Sequence, residues 1–465
     1  MRCFRECDIR GTYPDEIDEG LFRAIGIAIT KRCRGQGFIV AGHDVRLGSP
    51  SLSAALIEGM VWAGGHVVDL GRVPTPVVYF ARRQFDAAAG VMVTASHNPR
   101  QYNGLKLLFR HGPATCQDIA DLKRCLSASH ADHQAGGRHD RTDALEPYAH
   151  YIECCWRRWS ESHPLRRAPR LVVDPGHGAW SQTAGQIMKR FGLGCRVVHD
   201  EPDGRFPDRS PDCAAPGTLA RLAESVRQCG ADAGLAWDGD GDRLAVVDGN
   251  GIPLTADQIG LLLASSMPLR DERVLLDVKM SRKAATAIED LGGISIMERS
   301  AHCALERTMI EQDCLFGCEY SGHYFFRELH GADDGFYAAV RLVHLLGQHD
   351  SLDSLLARLP AFHVTPDIRV PGGQNDFTQI CGCLRNAPGF GNAHITKLDG
   401  EKLDLPDGWI LVRRSVSEDK LSVRVEGETA AALARIVHSM IAALPANQSE
   451  LRHALETWNS THCRS

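Results

Sequence analysis

The sequence predicts an α/β fold built from repeated strand–helix units. Two observations carry this. Short apolar runs alternate with helix-like runs up to about residue 364, the order that a mainly parallel sheet covered by helices requires. From about Thr365 the texture changes to strands of alternating polarity followed by a helix, which marks a smaller α+β segment. A length of 465 residues leaves room for roughly two to four domains.

Taken in order, residues 37–42 read as a buried strand and residues 51–63 as a helix capped by Ser49 or Ser51. Residues 66–70, 87–93 and 105–109 are further strands. His43, Asp44, Val45 and Arg46 follow a strand end, so their charges either turn toward a site or lie solvated in a loop. Residues 130–142 are polar and aperiodic, a flexible connection before a helix over 148–159. A second unit opens at 171–174, turns at Gly176-His177-Gly178 and closes over 231–247; His177 reads as structural or neutral. A third has a helix at 255–267, strands at 274–278, 294–297 and 314–316, and an amphipathic helix at 333–346 opened by two acids at its positive end. The last segment carries strands at 409–412 and 421–425 and a helix at 429–444. The domains are expected at 1–147, 148–252, 253–364 and 365–465.

Composition narrows the class. Hydrophobic residues make up 43% and charged residues 24% of the chain, ordinary for a globular protein. With 52 basic and 58 acidic residues the net charge is −6, which gives no general electrostatic reason to bind nucleic acid or an anionic membrane. No apolar run reaches the roughly 18 residues of a spanning helix, and the N-terminus lacks the apolar stretch of a signal peptide. A cytoplasmic location is therefore expected. The 16 cysteines are scattered without zinc-site spacing, so free thiols in a reducing compartment are expected rather than a disulfide framework.

Four loops carry chemistry. Val91-Met92-Val93-Thr94-Ala95-Ser96-His97-Asn98-Pro99 leaves an apolar strand abruptly, which places Ser96 and His97 at a strand's carboxyl end, where open α/β sheets hold ligands. A serine beside a histidine there is either a polar turn or a nucleophile with a nearby base. Asp238-Gly239-Asp240-Gly241-Asp242-Arg243 sits between two apolar runs. Carboxylates that close repel unless a cation joins them, and a few hard oxygen ligands suit Mg²⁺. No glutamate follows at the spacing of a calcium helix–loop–helix site; an acidic hairpin turn is the bland alternative. Gly317 to His323 brings Glu319, Ser321 and His323, and Arg413-Arg414-Ser415-Val416-Ser417 offers a guanidinium fork with hydroxyls and amides, a cradle for an anion.

These four stretches, in this order and with Phe4-Arg5-Glu6-Cys7-Asp8-Ile9-Arg10-Gly11 ahead of them, resemble the α-D-phosphohexomutase family, and within it the bacterial phosphomannomutase/phosphoglucomutase branch. The resemblance covers nearly the whole chain. It implies three similar mixed-sheet α/β domains plus a smaller α+β C-terminal domain around a central cleft. It also implies interconversion of hexose 6-phosphate and hexose 1-phosphate, of mannose and/or glucose, through a phosphoserine and a hexose 1,6-bisphosphate. Carried over, Ser96 is the phosphoserine, and Asp238, Asp240 and Asp242 hold Mg²⁺ with it. Arg10, Lys106 and Arg243 assist near the transferred group, with His97 beside the serine. Lys106 and His323 are candidates for acid/base work. Glu319 and Ser321 contact sugar hydroxyls, and Arg413, Ser415, Val416 and Ser417 bind the non-reacting phosphate. The partner is a small phosphosugar, and a monomer is expected.

The chain departs from the family pattern at several places. Cys7 stands where tyrosine is common, and Val416, Ser417 and Asp419 where Asn, Thr and Pro are usual. Glu306 stands four residues after His302, where the family often has lysine; an acid facing a phosphate would oppose binding. Tyr320 favours the mannose/glucose branch over the glucosamine branch. Two other readings share the fold: a non-catalytic sugar-phosphate-binding protein, and a Mg²⁺-dependent sugar phosphatase.

Overall fold

A computed structural model describes residues 3–127, 134–415 and 419–462. The chain divides into two compact units. One comprises Met1–Leu275, Ile288–Ile296 and His302–Leu359, the other Leu276–Ala287, Met297–Ala301 and Pro360–Ser465.

The first sheet explains how distant segments meet. Ala89–Val93 is buried at every residue, as an apolar run covered on both faces must be. It pairs parallel with Ile39–His43 and antiparallel with Tyr102–Phe109. Beyond Tyr102–Phe109 lies Ile9–Thr12, and beyond Ile39–His43 lie His66–Arg72 and then Arg138–Arg141. The register Met92↔Lys106 and Arg10↔Gly104 sets Lys106 and Arg10 at the strand end from which the Ser96 loop departs. The sheet is mixed, not mainly parallel, because Tyr102–Phe109 returns directly and antiparallel after the serine loop.

In the second sheet, Ala233–Trp237 and Leu244–Asp248 form an antiparallel hairpin, with Trp237 opposite Leu244 and the aspartate loop at its tip. Leu171–Asp174 lies parallel beside it, followed by Cys195–Val197. The third sheet runs Ile294–Glu298, Arg273–Asp277, Phe316–Cys318, Tyr324–Phe326. Its last two strands are a hairpin with Cys318 opposite Tyr324, and the glutamate–histidine loop joins them. The two hairpin tips are zipped together: Arg243 bridges to His323, and the Leu244 N–H donates to the Gly322 carbonyl at 3.0 Å.

Helix Gly335–Gly347 corrects one expectation. It is buried at all its residues rather than amphipathic. Its sequence is apolar nearly all round, and such a helix belongs inside a protein. Phe336 stacks on Trp180 and Trp237 at 4.6 and 5.7 Å between ring centres. Of the two acids before it, only Asp334 caps the helix, accepting from the Phe336 and Tyr337 N–H groups. Helix Ser49–Trp62 is likewise not capped by a serine: Gly48 is its N-cap, and Ser49 donates instead to Asp44 at 2.5 Å. Within the expected flexible stretch 130–142, residues 130–133 lie outside the described residues, while Arg138–Arg141 is a strand, exposed at every position. An exposed edge strand needs no apolar alternation, so the sequence pattern hid it.

The second unit carries a five-stranded antiparallel sheet, ordered Ile368–Pro371, Lys420–Gly427, Gly408–Arg414, Glu401–Leu405, His394–Thr396. Helices Gln374–Asn386, Ala430–Ala443 and Ser449–His462 accompany it. Val412, Val423, Val425, Ile436 and Met440 are among its fully buried core residues. Among the described residues, no helix is long and apolar enough to cross a membrane.

The cysteine expectation also needs correction. Cys7 and Cys303 form a disulfide. The two are 296 residues apart, so only the fold brings them together. Spacing rules address local pairs and are silent on such a bond.

Candidate active site

Ser96 is buried, with its backbone in the left-handed region at φ 50°. Six hydrogen bonds hold the loop there. The Arg46 guanidinium donates to the carbonyls of Ser96 at 2.8 Å, Asn98 at 2.5 Å, Pro99 at 2.8 Å and Tyr102 at 2.9 Å. Asp44 accepts from Thr94 Oγ1 at 2.7 Å, and Thr94 Oγ1 accepts from the Ser96 N–H at 2.8 Å. The charges of Asp44 and Arg46 therefore turn inward and hold the serine loop. Ser96 Oγ donates to Asp238 Oδ2 at 2.8 Å and lies 3.3 Å from His97 Nδ1. Burial first, then the cations Arg243, Arg10, His323 and Lys106, hold His97 well below the usual imidazole range, so its ring is neutral at pH 7.

The three aspartates converge as their spacing suggests, and one ligand oxygen from each lies within 4.8 Å of the others. Gly241 makes this bend possible at φ 82°, and a Cβ there would come within 2.3 Å of the Trp180 ring. Trp180 Nε1 donates to the Gly241 carbonyl at 2.8 Å. Lys106 Nζ donates to Asp240 Oδ2 at 2.8 Å and also bonds Asp242. Burial alone would lower the Lys106 ammonium, but Asp240, Asp242 and Asp238 outweigh it and hold it protonated. Burial, then Asp242 and Asp240, pushes the Asp238 carboxyl up. Even with Lys106 present, Asp240 Oδ1 is buried without a hydrogen-bond partner, while Asp242 Oδ1 faces His323 Nε2 at 3.3 Å. An orphaned carboxylate oxygen beside a buried serine oxygen fits a hard divalent cation.

The zipped loop adds a second layer. His323 Nδ1 lies 2.8 Å from Glu319 Oε2 and 2.8 Å from Ser321 Oγ. Its Nε2 lies 3.3 Å from Asp242 Oδ1 and 3.3 Å from Arg243 Nε. Burial and Arg243 oppose charge on this ring, but Asp242 and Glu319 prevail and raise it to about 10. Arg10 donates to Asp8 Oδ2 and Asn98 Oδ1, both at 2.7 Å. Ser96, His97, Lys106, Arg10, Arg243, Glu319, Ser321, His323 and the three aspartates thus belong to one unit.

Arg413 lies in the other unit, near the end of strand Gly408–Arg414 rather than in the loop after it. Its Nε donates to Asp399 Oδ2 at 2.8 Å and its Nη2 to the Ser300 carbonyl at 3.3 Å. The expected phosphate fork is thus already oriented by a carboxylate. The Ser415 N–H donates to the Lys420 carbonyl at 2.8 Å; Val416 and Ser417 lie outside the described residues.

Family models for the phosphoglucomutase/phosphomannomutase domains match in order: α/β/α domain I over residues 1–129, domain II over 147–251, domain III over 255–362 and the C-terminal domain over 373–443. The chain belongs to the phosphoglucomutase/phosphomannomutase family. It is 35% identical to a phosphomannomutase/phosphoglucomutase of Pseudomonas aeruginosa across 93% of both chains. It is 32% identical to a phosphoglucomutase of Neisseria meningitidis across 96% of this chain and 97% of that one. A crystal structure of a phosphoglucomutase/phosphomannomutase family protein from Burkholderia thailandensis superposes with a TM-score of 0.86 at 30% identity, covering 96% and 98% of the two chains.

Some residues of this site escape sequence reasoning. His302 and Asp333 join His323 and Asp242 in one group, with His302 Nε2 3.0 Å from Asp333 Oδ1. Thr75 donates to Asp240 Oδ2 at 2.6 Å across 165 positions. No local pattern marks such a pair, although the two acids before a helix were a signal that one would be spare. Glu306 sits one turn beyond His302 in helix His302–Glu311 and borders a cavity of about 350 Å³ with Arg82, Arg83, Arg110, His111 and His330. Its burial raises it to about 7.

Proposed function

We propose that the chain is a phosphohexomutase that interconverts hexose 6-phosphate and hexose 1-phosphate, of mannose and/or glucose, through phosphorylated Ser96 and a hexose 1,6-bisphosphate. The reading rests above all on Ser96 Oγ lying 2.8 Å from Asp238 in a loop whose three aspartates converge and where Asp240 keeps an unpartnered oxygen. Asp238, Asp240 and Asp242 are the residues to hold Mg²⁺, which would neutralise charge on the transferring phosphoryl group.

In the forward direction the Oγ–phosphorus bond of Ser96 breaks as a sugar oxygen bonds to phosphorus. That hydroxyl gives up its proton to a base beside it. His97, held neutral 3.3 Å from Ser96 Oγ, fits the accepting side of this exchange, and His323, held protonated by carboxylates near both ring nitrogens, fits the donating side. Arg10, Lys106 and Arg243 donate to phosphoryl oxygens, and Glu319 with Ser321 accepts from and donates to sugar hydroxyls. After the bisphosphate turns over, Ser96 takes back the other phosphoryl group. Arg413, Ser415, Val416 and Ser417 hold the phosphate that is not reacting.

The test is intact mass and peptide mapping of purified protein after incubation with glucose 1,6-bisphosphate, with turnover of mannose and glucose 1-phosphates followed in parallel. Phosphate on Ser96 and formation of hexose 6-phosphate are expected. Ser96→Ala should abolish both, and chelation should stop turnover reversibly. Release of free phosphate without hexose 6-phosphate would make the protein a phosphatase.

A further inference from the structure

A second group of ligating side chains lies behind the aspartate loop. After strand Leu171–Asp174 the chain turns through His177, and after Cys195–Val197 it passes His199 and runs on to Asp208 and Arg209. The two segments are stitched together: the His177 N–H donates to the His199 carbonyl at 2.9 Å, and the Asp203 N–H to the His177 carbonyl at 3.0 Å. One ligand atom from each of His177, His199 and Asp208 lies within 4.8 Å of the others.

The hydrogen bonds fix which nitrogens are available. His177 Nδ1 lies 2.7 Å from the Glu201 carbonyl, which can only accept, so Nδ1 carries a proton. His199 Nδ1 lies 3.0 Å from Asp174 Oδ1 and donates to that carboxylate. In the neutral rings both Nε2 atoms then hold a lone pair. His177 Nε2 faces Asp208 Oδ2 at 2.7 Å. Two acceptors that close need something positive between them, either a proton on the ring or a metal ion. A carbonyl or carboxylate behind each imidazole is the outer support that metal-bound histidines use. The Asp208 side chain is 59% exposed, which gives an ion a path in, while both imidazoles are largely buried.

We propose that His177, His199 and Asp208 bind a borderline-soft divalent ion of the zinc class, separate from the Mg²⁺ loop. Two imidazole nitrogens and one carboxylate oxygen favour zinc or cobalt(II) over magnesium, which prefers oxygen alone. The ion would clamp the segment 199–209. That segment underlies both reactive loops. Arg209 donates to the Trp237 carbonyl, just before Asp238, at 2.6 Å and pairs with Asp174 at 3.2 Å. Phe206 lies under the Arg46 guanidinium at 5.3 Å, and Arg46 holds the Ser96 carbonyl.

The experiment uses the full chain, stripped with chelator and returned to buffer with saturating Mg²⁺. Cobalt(II) is titrated and followed by its visible absorption, and zinc by calorimetry. The wild-type protein should bind one equivalent that Mg²⁺ does not displace and that raises Tm. Asp208→Asn should weaken binding on the order of tenfold or more, and His177→Asn and His199→Gln should remove that equivalent, while the His302/His323 group is untouched. Asp208 is exposed, so its variant guards against a fold defect, with circular dichroism as the check. Equal binding by wild type and all three variants would overturn the proposal. Absence of any Mg²⁺-resistant equivalent would leave a protonated His177–Asp208 ion pair and nothing more, and would overturn it too.

Discussion

Single side chains decide chemistry here through what they face. Arg413 binds Asp399 and the Ser300 carbonyl within its own unit, so its fork is oriented before any anion arrives. Charged hydrogen bonds contribute about 1.5–3 kcal/mol each. Arg413→Ala should therefore lower kcat/KM for glucose and mannose 1-phosphates by on the order of tenfold to a hundredfold, chiefly through KM, and Arg413→Lys should restore little, since an ammonium cannot form the two parallel bonds. Steady-state kinetics with both sugars checks this; unchanged kcat/KM would remove the arginine from the site. Glu306 makes a different prediction, about stability. Burial raises its carboxyl to about 7, and its Oε2 has no hydrogen-bond partner. A folded-state value above the unfolded one means that the fold prefers the protonated acid. Its contribution is present in full below the unfolded value near 4.5 and is lost as pH rises through about 7. Glu306→Gln, which cannot ionise, should gain stability relative to wild type as pH rises from about 5 to 8, by up to about 3 kcal/mol. Melting curves of both proteins across that range test the sign. If the Tm difference does not change with pH, Glu306 stays charged, paired with the Arg82–Arg83 cluster.

At the scale of elements, three of the candidate loops sit where strands stop. Ser96 follows Ala89–Val93, the aspartates cap one hairpin, and Glu319 to His323 cap another. The aspartate tip depends on Gly241 lying against Trp180. Gly241→Ala adds a Cβ at positive φ and into a buried ring. Overpacking costs about 1–3 kcal/mol and the left-handed backbone about 1–2 more. Lower Tm and weaker Mg²⁺ dependence of activity are expected together, because the same bend aims the carboxylates. A variant with wild-type Tm and turnover would show that the tip does not need this bend. These hairpin tips were legible in the sequence, since an apolar run that ends in Gly, Asp or Ser marks a strand end. Helix Gly335–Gly347 was legible as a helix but not as a buried one. Its environment comes from Trp180 and Trp237, which are far away in sequence.

At the scale of the molecule, the Cys7–Cys303 bond ties the segment before Arg10 to the start of the helix that carries His302. Closing so long a loop restricts the unfolded chain by about 6 kcal/mol at most in the loop-entropy model. Reduction, or Cys7→Ser, should lower Tm, and thiol titration of the unfolded protein should rise by two groups on reduction; no rise would mean that the pair is not bonded in solution. The sequence by itself determined the α/β class, the strand ends and the residue types of the four loops, because hydrophobic period and turn chemistry are local. It also made the family recognisable, because the four motifs stand in order along the chain. Only the tertiary structure decided which distant groups touch. Asp44 and Arg46 hold the serine loop, Thr75 binds Asp240, His302 and Asp333 join His323, and Arg413 is paired with Asp399. Those pairings follow from sheet register and from hairpin tips meeting, and neither leaves a mark within a short window of sequence.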